Sequence, residues 1–395
     1  MEFVLTELLF SLCFLCLAIV MAFFIGGKRT VFGKAFKGCF KDIRPDDLLI
    51  QLLRSYNDSD PALWQTGPED LVVGCAYPEG EQGYNLARMV ALGSGLQVPG
   101  CTVNRLCASS LEAVAISAGR IGSGWGDCFL VAGVESMSRV PRRGSNFSES
   151  EKIKQVASNA YCPNGTTAET VAQKYPHLGR QVQEDFAARC HELADQAFAD
   201  GKYAAQIVDV GAERDEFIRV PVNREKMASL SPAFSEDGVV TAATSSPLTD
   251  GATAGWVVSE AIAKQAGVKN GLEILDAQVD HVSPSEMGMG PVPATQKLLQ
   301  RNSLSVDDIA AFEINEAFAI QVLASMDELN IPLEKVNTWG GALAIGHPLG
   351  ASGLRLVMTL HDRLADSDEP NSLGIATLCV GGGQGMSILF KYVQF

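Results

Sequence analysis

Two short stretches decide how this chain is read. The first is Cys107-Ala108-Ser109-Ser110-Leu111, followed two residues later by Val114. The second is Gly350-Ala351-Ser352-Gly353-Leu354, followed two residues later by Val357. Each opens an apolar helical pattern. Each is followed by an apolar strand pattern that ends in glycine and methionine. These are Val131-Ala132-Gly133-Val134-Glu135-Ser136-Met137 and Cys379-Val380-Gly381-Gly382-Gly383-Gln384-Gly385-Met386. Two such matches in the same order predict a duplicated βαβ core. A pseudo-twofold pair of cores brings both helix starts to one interface, where sites commonly form.

Around these anchors the chain alternates. Asp70–Cys75 and Cys128–Gly133 read as buried strands, and 85–96 and 108–121 as helices. From Arg139 to Gly238 the character changes to loops and one amphipathic helix, 180–200, with Gly201 as its cap. From 272 the alternation resumes. Strands are predicted at 272–279, 309–314, 373–379 and 386–392, and helices at 316–329 and 350–364. The chain of 395 residues is long enough for two or three domains.

The formal net charge is −15. That excludes nonspecific binding to nucleic acid or anionic lipid and leaves anionic small ligands open. Ten cysteines are scattered without a compact pattern, which reads as a reduced, cytoplasmic-type chain rather than a disulfide scaffold. No metal site is expected. From Leu8 to Ile25 no charged residue occurs, a length that meets the criterion for a membrane span. The competing reading, which is preferred, is a short apolar extension (1–20) leading into a first core strand.

The chemistry-bearing residues stand at element ends. Cys107 is predicted at a helix N-terminus, where free N–H groups and the helix dipole lower a thiol pKa; the bland reading is an inert buried cysteine. His347, within Gly340-Gly341-Ala342-Leu343-Ala344-Ile345-Gly346-His347-Pro348, alone among five histidines has a glycine-rich setting. Cys379 ends a strand before three glycines, whose N–H groups can stabilise an oxyanion. Asn315 stands between a strand and a helix, as an N-cap or as an amide turned into a site.

Over roughly Phe23 to the C-terminus the chain resembles the thiolase family. The resemblance rests on Val103-Asn104-Arg105-Leu106-Cys107-Ala108-Ser109, Gly133-Val134-Glu135-Ser136-Met137-Ser138, Asn315-Glu316-Ala317-Phe318, Gly340 through Gly353, and Cys379 through Gly385. It implies an α/β fold with a duplicated βαβ core, mixed five-stranded sheets and an inserted loop domain. The implied domains are 21–138 completed by 239–272, the insert 139–238, and 273–395. It implies an acyltransferase with reversible, CoA-dependent cleavage of 3-oxoacyl-CoA, as in fatty-acid β-oxidation. Cys107 would carry the acyl group and His347 would activate it. Cys379 would move the α-carbon proton. Asn315 (through a water) and His347 would form one oxyanion hole, and the N–H groups of Cys107 and Gly381 the other. Ser246 would contact the pantetheine arm and Met287 line the pocket. CoA, acetyl-CoA and acyl-CoA would be substrates, with no permanently bound cofactor. A homodimer or homotetramer is implied, and a β-oxidation hydratase/dehydrogenase as partner.

The chain departs from the family pattern in two places. Ser110 replaces the usual glycine, and Pro163-Asn164-Gly165 replaces the His-Met-Gly of acetoacetyl-CoA enzymes. The segment 241–250 looks more like degradative 3-ketoacyl-CoA thiolases. Alternatives are a short-chain acetyl-CoA C-acetyltransferase making acetoacetyl-CoA, a Claisen-condensing 3-oxoacyl synthase, and a non-catalytic acyl-CoA- or lipid-binding protein. Cys379 counts against the synthase, which lacks a late cysteine.

Overall fold

The computed structural model describes residues 20–395 apart from Asp60. Strand β1 (Ala22–Arg29) begins where the amino-terminal apolar run ends, and Ala22 through Ile25 are buried. The end of that run is therefore core strand. The remainder of the expected extension, residues 1–19, lies outside the described residues. Among the described residues no helix is long and apolar enough to cross a membrane.

The other strands are β2 (Gly33–Lys34), β3 (Asp70–Gly74), β4 (Gly100–Val103), β5 (Cys128–Ser136), β6 (Thr249–Ser259), β7 (Asn270–His281), β8 (Ile309–Ile314), β9 (Leu373–Val380) and β10 (Gln384–Gln394). They run in the order β4-β3-β5-β6-β1-β7-β10-β9-β8, with β2 on β6. The duplication is visible in the pairing. β3 is parallel to β5, while β5–β6 and β6–β1 are antiparallel. β8 is parallel to β9, while β9–β10 and β10–β7 are antiparallel. The two copies meet edge to edge through Phe23 opposite Glu273 and Phe24 opposite Leu272.

The copies differ at their outer edges. β4 gives the first copy a fifth strand on this path, but the matching position of the second copy holds only an isolated parallel bridge, Phe312 to Val336. The cause is Asn337. Its Oδ1 accepts the N–H of Ile314 at 2.9 Å and its Nδ2 donates to the carbonyl of Ile314 at 2.8 Å. A side chain thus satisfies the backbone groups that a fifth strand would otherwise pair.

The principal helices are α1 (Pro45–Ser59), α2 (Leu86–Ser94), α3 (Ser109–Gly122), α4 (Asn164–Lys174), α5 (Arg180–Ala199), α6 (Pro291–Arg301), α7 (Ala319–Leu329) and α8 (Leu349–Ser367). Strand residues alternate between faces. Val72, Val131, Leu378 and Val380 join Leu111, Val114, Leu354 and Val357 of α3 and α8 in one core. Leu71, Val73, Leu130 and Trp256 face a second core with α1 and α2. Ile314, Ile375 and Cys379 face a third. The two motif helices therefore lie together in the middle. Each fully buried Leu, Val or Ile there contributes about 1.5–3 kcal/mol.

Close approach at this centre demands small residues. A Cβ on Gly133 would lie 2.5 Å from the carbonyl oxygen of Gly350. Ser110, the departure noted above, is fully buried, and its Oγ accepts the N–H of Leu354 at 2.9 Å. The hydroxyl links α3 to α8 directly.

The segment between β5 and β6 includes α4 and α5. Its helices α4 and α5 leave the first copy and pack on the second, while Val208 returns to the first copy's core. Val171, Phe186, Cys190 and Ala194 share a core with Phe312, Ile320 and Leu343. Back at β1, Arg29 makes a bidentate pair with Asp215 at 2.8 and 2.9 Å, both fully buried.

Candidate active site

Cys107 sits in a 3-10 turn, Leu106–Ala108, between β4 and α3. Asn104 Oδ1 accepts the N–H of Leu106 at 2.8 Å, and Leu106 adopts a left-handed φ of 45°. Ser109 Oγ accepts the N–H of Arg105 at 3.0 Å and donates to the carbonyl of Leu106 at 2.6 Å. This network makes a sharp elbow that presents the cysteine. The backbone N–H groups of Gly381 and of Cys107 itself point at the sulfur and favour thiolate. Burial opposes them and wins: with a smaller contribution from Glu135, the thiol is pushed up to about 12. The expected lowering of this thiol pKa is thus overturned by desolvation. The resting group is a neutral thiol, and a base must take its proton.

Cys379 is buried near the end of β9. Burial, and then the ionisable neighbour Cys107, push its thiol up. Gly381, Gly382 and Gly383 then turn the chain, Gly382 and Gly383 at φ of 80° and 83°. Gly383 also passes so near its neighbours that a Cβ would lie 2.5 Å from the carbonyl of Val282. The turn needs its glycines for packing, and the same turn delivers the Gly381 N–H to Cys107.

Asn315 is not a helix cap. Its N–H still donates to Thr377 of β9 at 2.9 Å, so it continues the strand, and α7 starts only after Phe318. Its fully buried amide instead meets His347, with Nδ2 3.3 Å from Nε2. Its Oδ1 has no hydrogen-bond partner among the described residues. A buried acceptor of this kind fits the expected water-holding amide.

His347 is held from several sides. Its N–H donates to Thr249 Oγ1 at 3.0 Å. The loop before it is tied by Glu316, which accepts from Asn337 Nδ2 at 2.7 Å, the Leu343 N–H at 3.0 Å and the Cys190 thiol at 2.9 Å. A Cβ on Gly341 would lie 2.2 Å from that carboxyl carbon. Burial, and then Arg355, push the imidazole down to about 3. His347 is thus neutral at physiological pH, able to accept a proton. No hydrogen bond joins it to Cys107; such catalytic contacts commonly tighten only when substrate arrives.

Cys107 opens onto a cavity of about 110 Å³. The first copy contributes Tyr77, Leu106 and Cys107, and the second Leu349, Gly381 and Gly382. The segment between β5 and β6 contributes Arg143, Phe147, Tyr161, Cys162 and Asn164. Arg143 stacks over Phe147 at 4.9 Å and donates to the Tyr161 carbonyl at 2.7 Å. Sequence reading missed Tyr77, Phe147 and Tyr161, which lie in segments without periodicity or motif. His347 precedes the lining residue Leu349 by two positions. Ser246 and Met287 are not among the residues lining this cavity. The Ser246 N–H donates to Ala317 at 2.9 Å, and Met287 is buried in the core around α4 and α7.

The comparisons with known proteins agree with this arrangement. The thiolase N-terminal domain family matches residues 22–261, and the thiolase C-terminal domain family matches 269–392. The chain is 38% identical over 381 residues to a 3-ketoacyl-CoA thiolase of Saccharophagus degradans, covering 92% of this chain and 96% of that one. It is 37% identical over 390 residues to a 3-ketoacyl-CoA thiolase of Bacillus subtilis, covering 94% and 99%. It is 40% identical over 381 residues to one of Aeromonas hydrophila, covering 92% and 97%. With its duplicated α/β core and both family domains matched in order, the chain belongs to the thiolase family of acyltransferases.

Proposed function

We propose that this thiolase cleaves 3-oxoacyl-CoA with CoA, releasing acetyl-CoA and a shortened acyl-CoA, and runs the condensation in reverse. The observation that carries the reading is that Cys107 of the first copy and Gly381 of the second line one cavity, with Cys379 two residues before Gly381 at the end of β9.

In thiolysis, the Cys107 proton passes to Nε2 of His347 and the sulfur attacks the 3-oxo carbon. The N–H groups of Cys107 and Gly381, and the Asn315–His347 pair, supply the two oxyanion sites. The C2–C3 bond breaks, and Cys379 protonates the departing acetyl-CoA carbanion. The shortened acyl group stays on Cys107 until the thiol of CoA attacks it; the CoA proton goes to the Cys379 thiolate, the bond from acyl carbon to Cys107 sulfur breaks, and that sulfur takes back the proton from Nε2. One face thus handles acyl transfer and the other carbon–carbon chemistry.

Ser246 and Met287 belong to this proposal as pantetheine and pocket contacts, as do the domain boundaries given above. CoA is a substrate, not a resident group. The half-exposed edge strand β4 supports a homodimer or homotetramer. The eight described cysteines are free, which supports a cytoplasmic location. A hydratase/dehydrogenase of β-oxidation would supply the 3-oxoacyl-CoA. A second reading is a short-chain acetyl-CoA C-acetyltransferase, which would use the same residues.

Incubation with acetyl-CoA followed by mass spectrometry tests the catalytic claim. One acetyl group should appear on the peptide bearing Cys107 and should be absent in Cys107→Ser. A folded protein that gains no acetyl group overturns the reading. Thiolysis rates across a 3-oxoacyl-CoA chain-length series separate the two substrate readings.

A further inference from the structure

The two ring nitrogens of His347 have different surroundings. Nε2 faces Nδ2 of Asn315 at 3.3 Å. Nδ1 lies 2.5 Å from Oγ of Ser352, in the first turn of α8. Ser352 is fully buried, and its Oγ lies 2.8 Å from the Pro348 carbonyl oxygen.

A serine hydroxyl carries one proton, and a carbonyl carries none. The Pro348 carbonyl also accepts the N–H groups of Ala351 and Ser352 at 3.0 Å, but two oxygens 2.8 Å apart need a hydrogen between them, and only the Ser352 hydroxyl can supply it. With that proton directed at Pro348, the hydroxyl presents a lone pair to the ring, which assigns the imidazole proton to Nδ1. At the other end, Nδ2 of Asn315 lies 3.3 Å from Nε2, a contact in which an unprotonated Nε2 accepts. Every donor in the chain Asn315, His347, Ser352, Pro348 points the same way. The lone pair left for chemistry is on Nε2.

We propose that Ser352 is a positioning residue that holds His347 in the Nδ1–H tautomer and so keeps Nε2 as the proton acceptor for Cys107. This rests on reading His347 as the base. In the acylation step from acetyl-CoA, the Cys107 Sγ proton moves to Nε2 and the sulfur–acyl bond forms. The bond from acyl carbon to CoA sulfur breaks, and the Nε2 proton leaves on that sulfur. Nothing is oxidised or reduced. Throughout, Nδ1–H keeps donating to Ser352 Oγ. Ser352 is neutral, so unlike a carboxylate it fixes the ring without drawing a permanent positive charge onto it. That suits a buried base already held down to about 3.

The test combines ¹⁵N NMR of the histidine ring with acylation kinetics. The wild-type protein should show His347 protonated at Nδ1 with Nε2 bare. Ser352→Ala should give mixed tautomers. Its kcat should fall roughly 10- to 100-fold, the loss that removing a histidine's outer partner causes at metal sites, with KM changed by less than about twofold. Ser352→Thr, which restores the hydroxyl, should recover most of the rate. A wild-type spectrum showing Nε2–H would overturn the proposal without any variant. So would Ser352→Ala with an unchanged tautomer and rate. Acylation that persists in His347→Ala would instead sink the underlying assignment of the base.

Discussion

The carboxylate of Glu135, at the end of β5, accepts the N–H of Gly350, at the start of α8, at 2.8 Å. It also accepts the Ala76 N–H and Gln82 Nε2, each at 2.8 Å. One fully buried residue of the first copy thereby anchors the helix of the second that follows His347. Burial pushes this carboxyl up, against the donors that favour its charge. Glu135→Ala would strand those donors in the core. Denaturant unfolding should show a loss on the order of 3–5 kcal/mol, with Glu135→Gln losing less. Equal stability of Glu135→Ala and wild type would remove Glu135 as the link between the copies.

The two cysteines should separate kinetically. Cys379→Ala keeps the nucleophile, the elbow and the Gly381 N–H. It should still take up an acetyl group on Cys107, seen by mass, while thiolysis of 3-oxoacyl-CoA falls below detection. If Cys379→Ala and Cys107→Ser block acylation equally, the division of roles is wrong.

Asn315 aims its amide at His347 from the end of a strand rather than capping a helix. Asn315→Ala should lower kcat by about 10²–10³, as loss of one oxyanion-hole donor does, with KM nearly unchanged. A rise in KM at constant kcat would make Asn315 a ground-state binding group instead.

Buried His347 gives stability a pH dependence of definite sign. Its folded pKa, about 3, is below the unfolded value of about 6.5. Between those values the unfolded chain binds more protons, so this contribution is complete above about pH 6.5 and is lost as pH falls. The slope approaches about 1.4 kcal/mol per pH unit. The buried carboxyls Glu135, Glu313 and Asp250 are pushed up and act in the opposite sense. The useful quantity is therefore a difference. Between pH 7 and 5, wild type should lose roughly 1–2 kcal/mol more than His347→Gln in urea titrations. Parallel losses would mean that His347 is not held neutral.

Much of this enzyme follows from its local pattern. The paired motifs at Cys107 and Gly350 specify two helices with buried faces, and the apolar runs around them specify the strands of a duplicated α/β core. Residue type and spacing suffice there, because burying an apolar stripe requires no knowledge of its partner. Tertiary structure alone decided the rest. Asn337 replaced an edge strand because its amide matched the free backbone groups of Ile314. Helices α4 and α5 of the segment after β5 packed on the other copy, burying Val171, Phe186 and Ala194 against Phe312, Ile320 and Leu343. The Cys107 thiol went up rather than down because its environment sums atoms from its own turn, β5 and the glycine turn after β9, and desolvation outweighs the nearby N–H groups. Periodicity reports which side chains are buried. It does not report what they meet, and the chemistry of this site depends on what they meet.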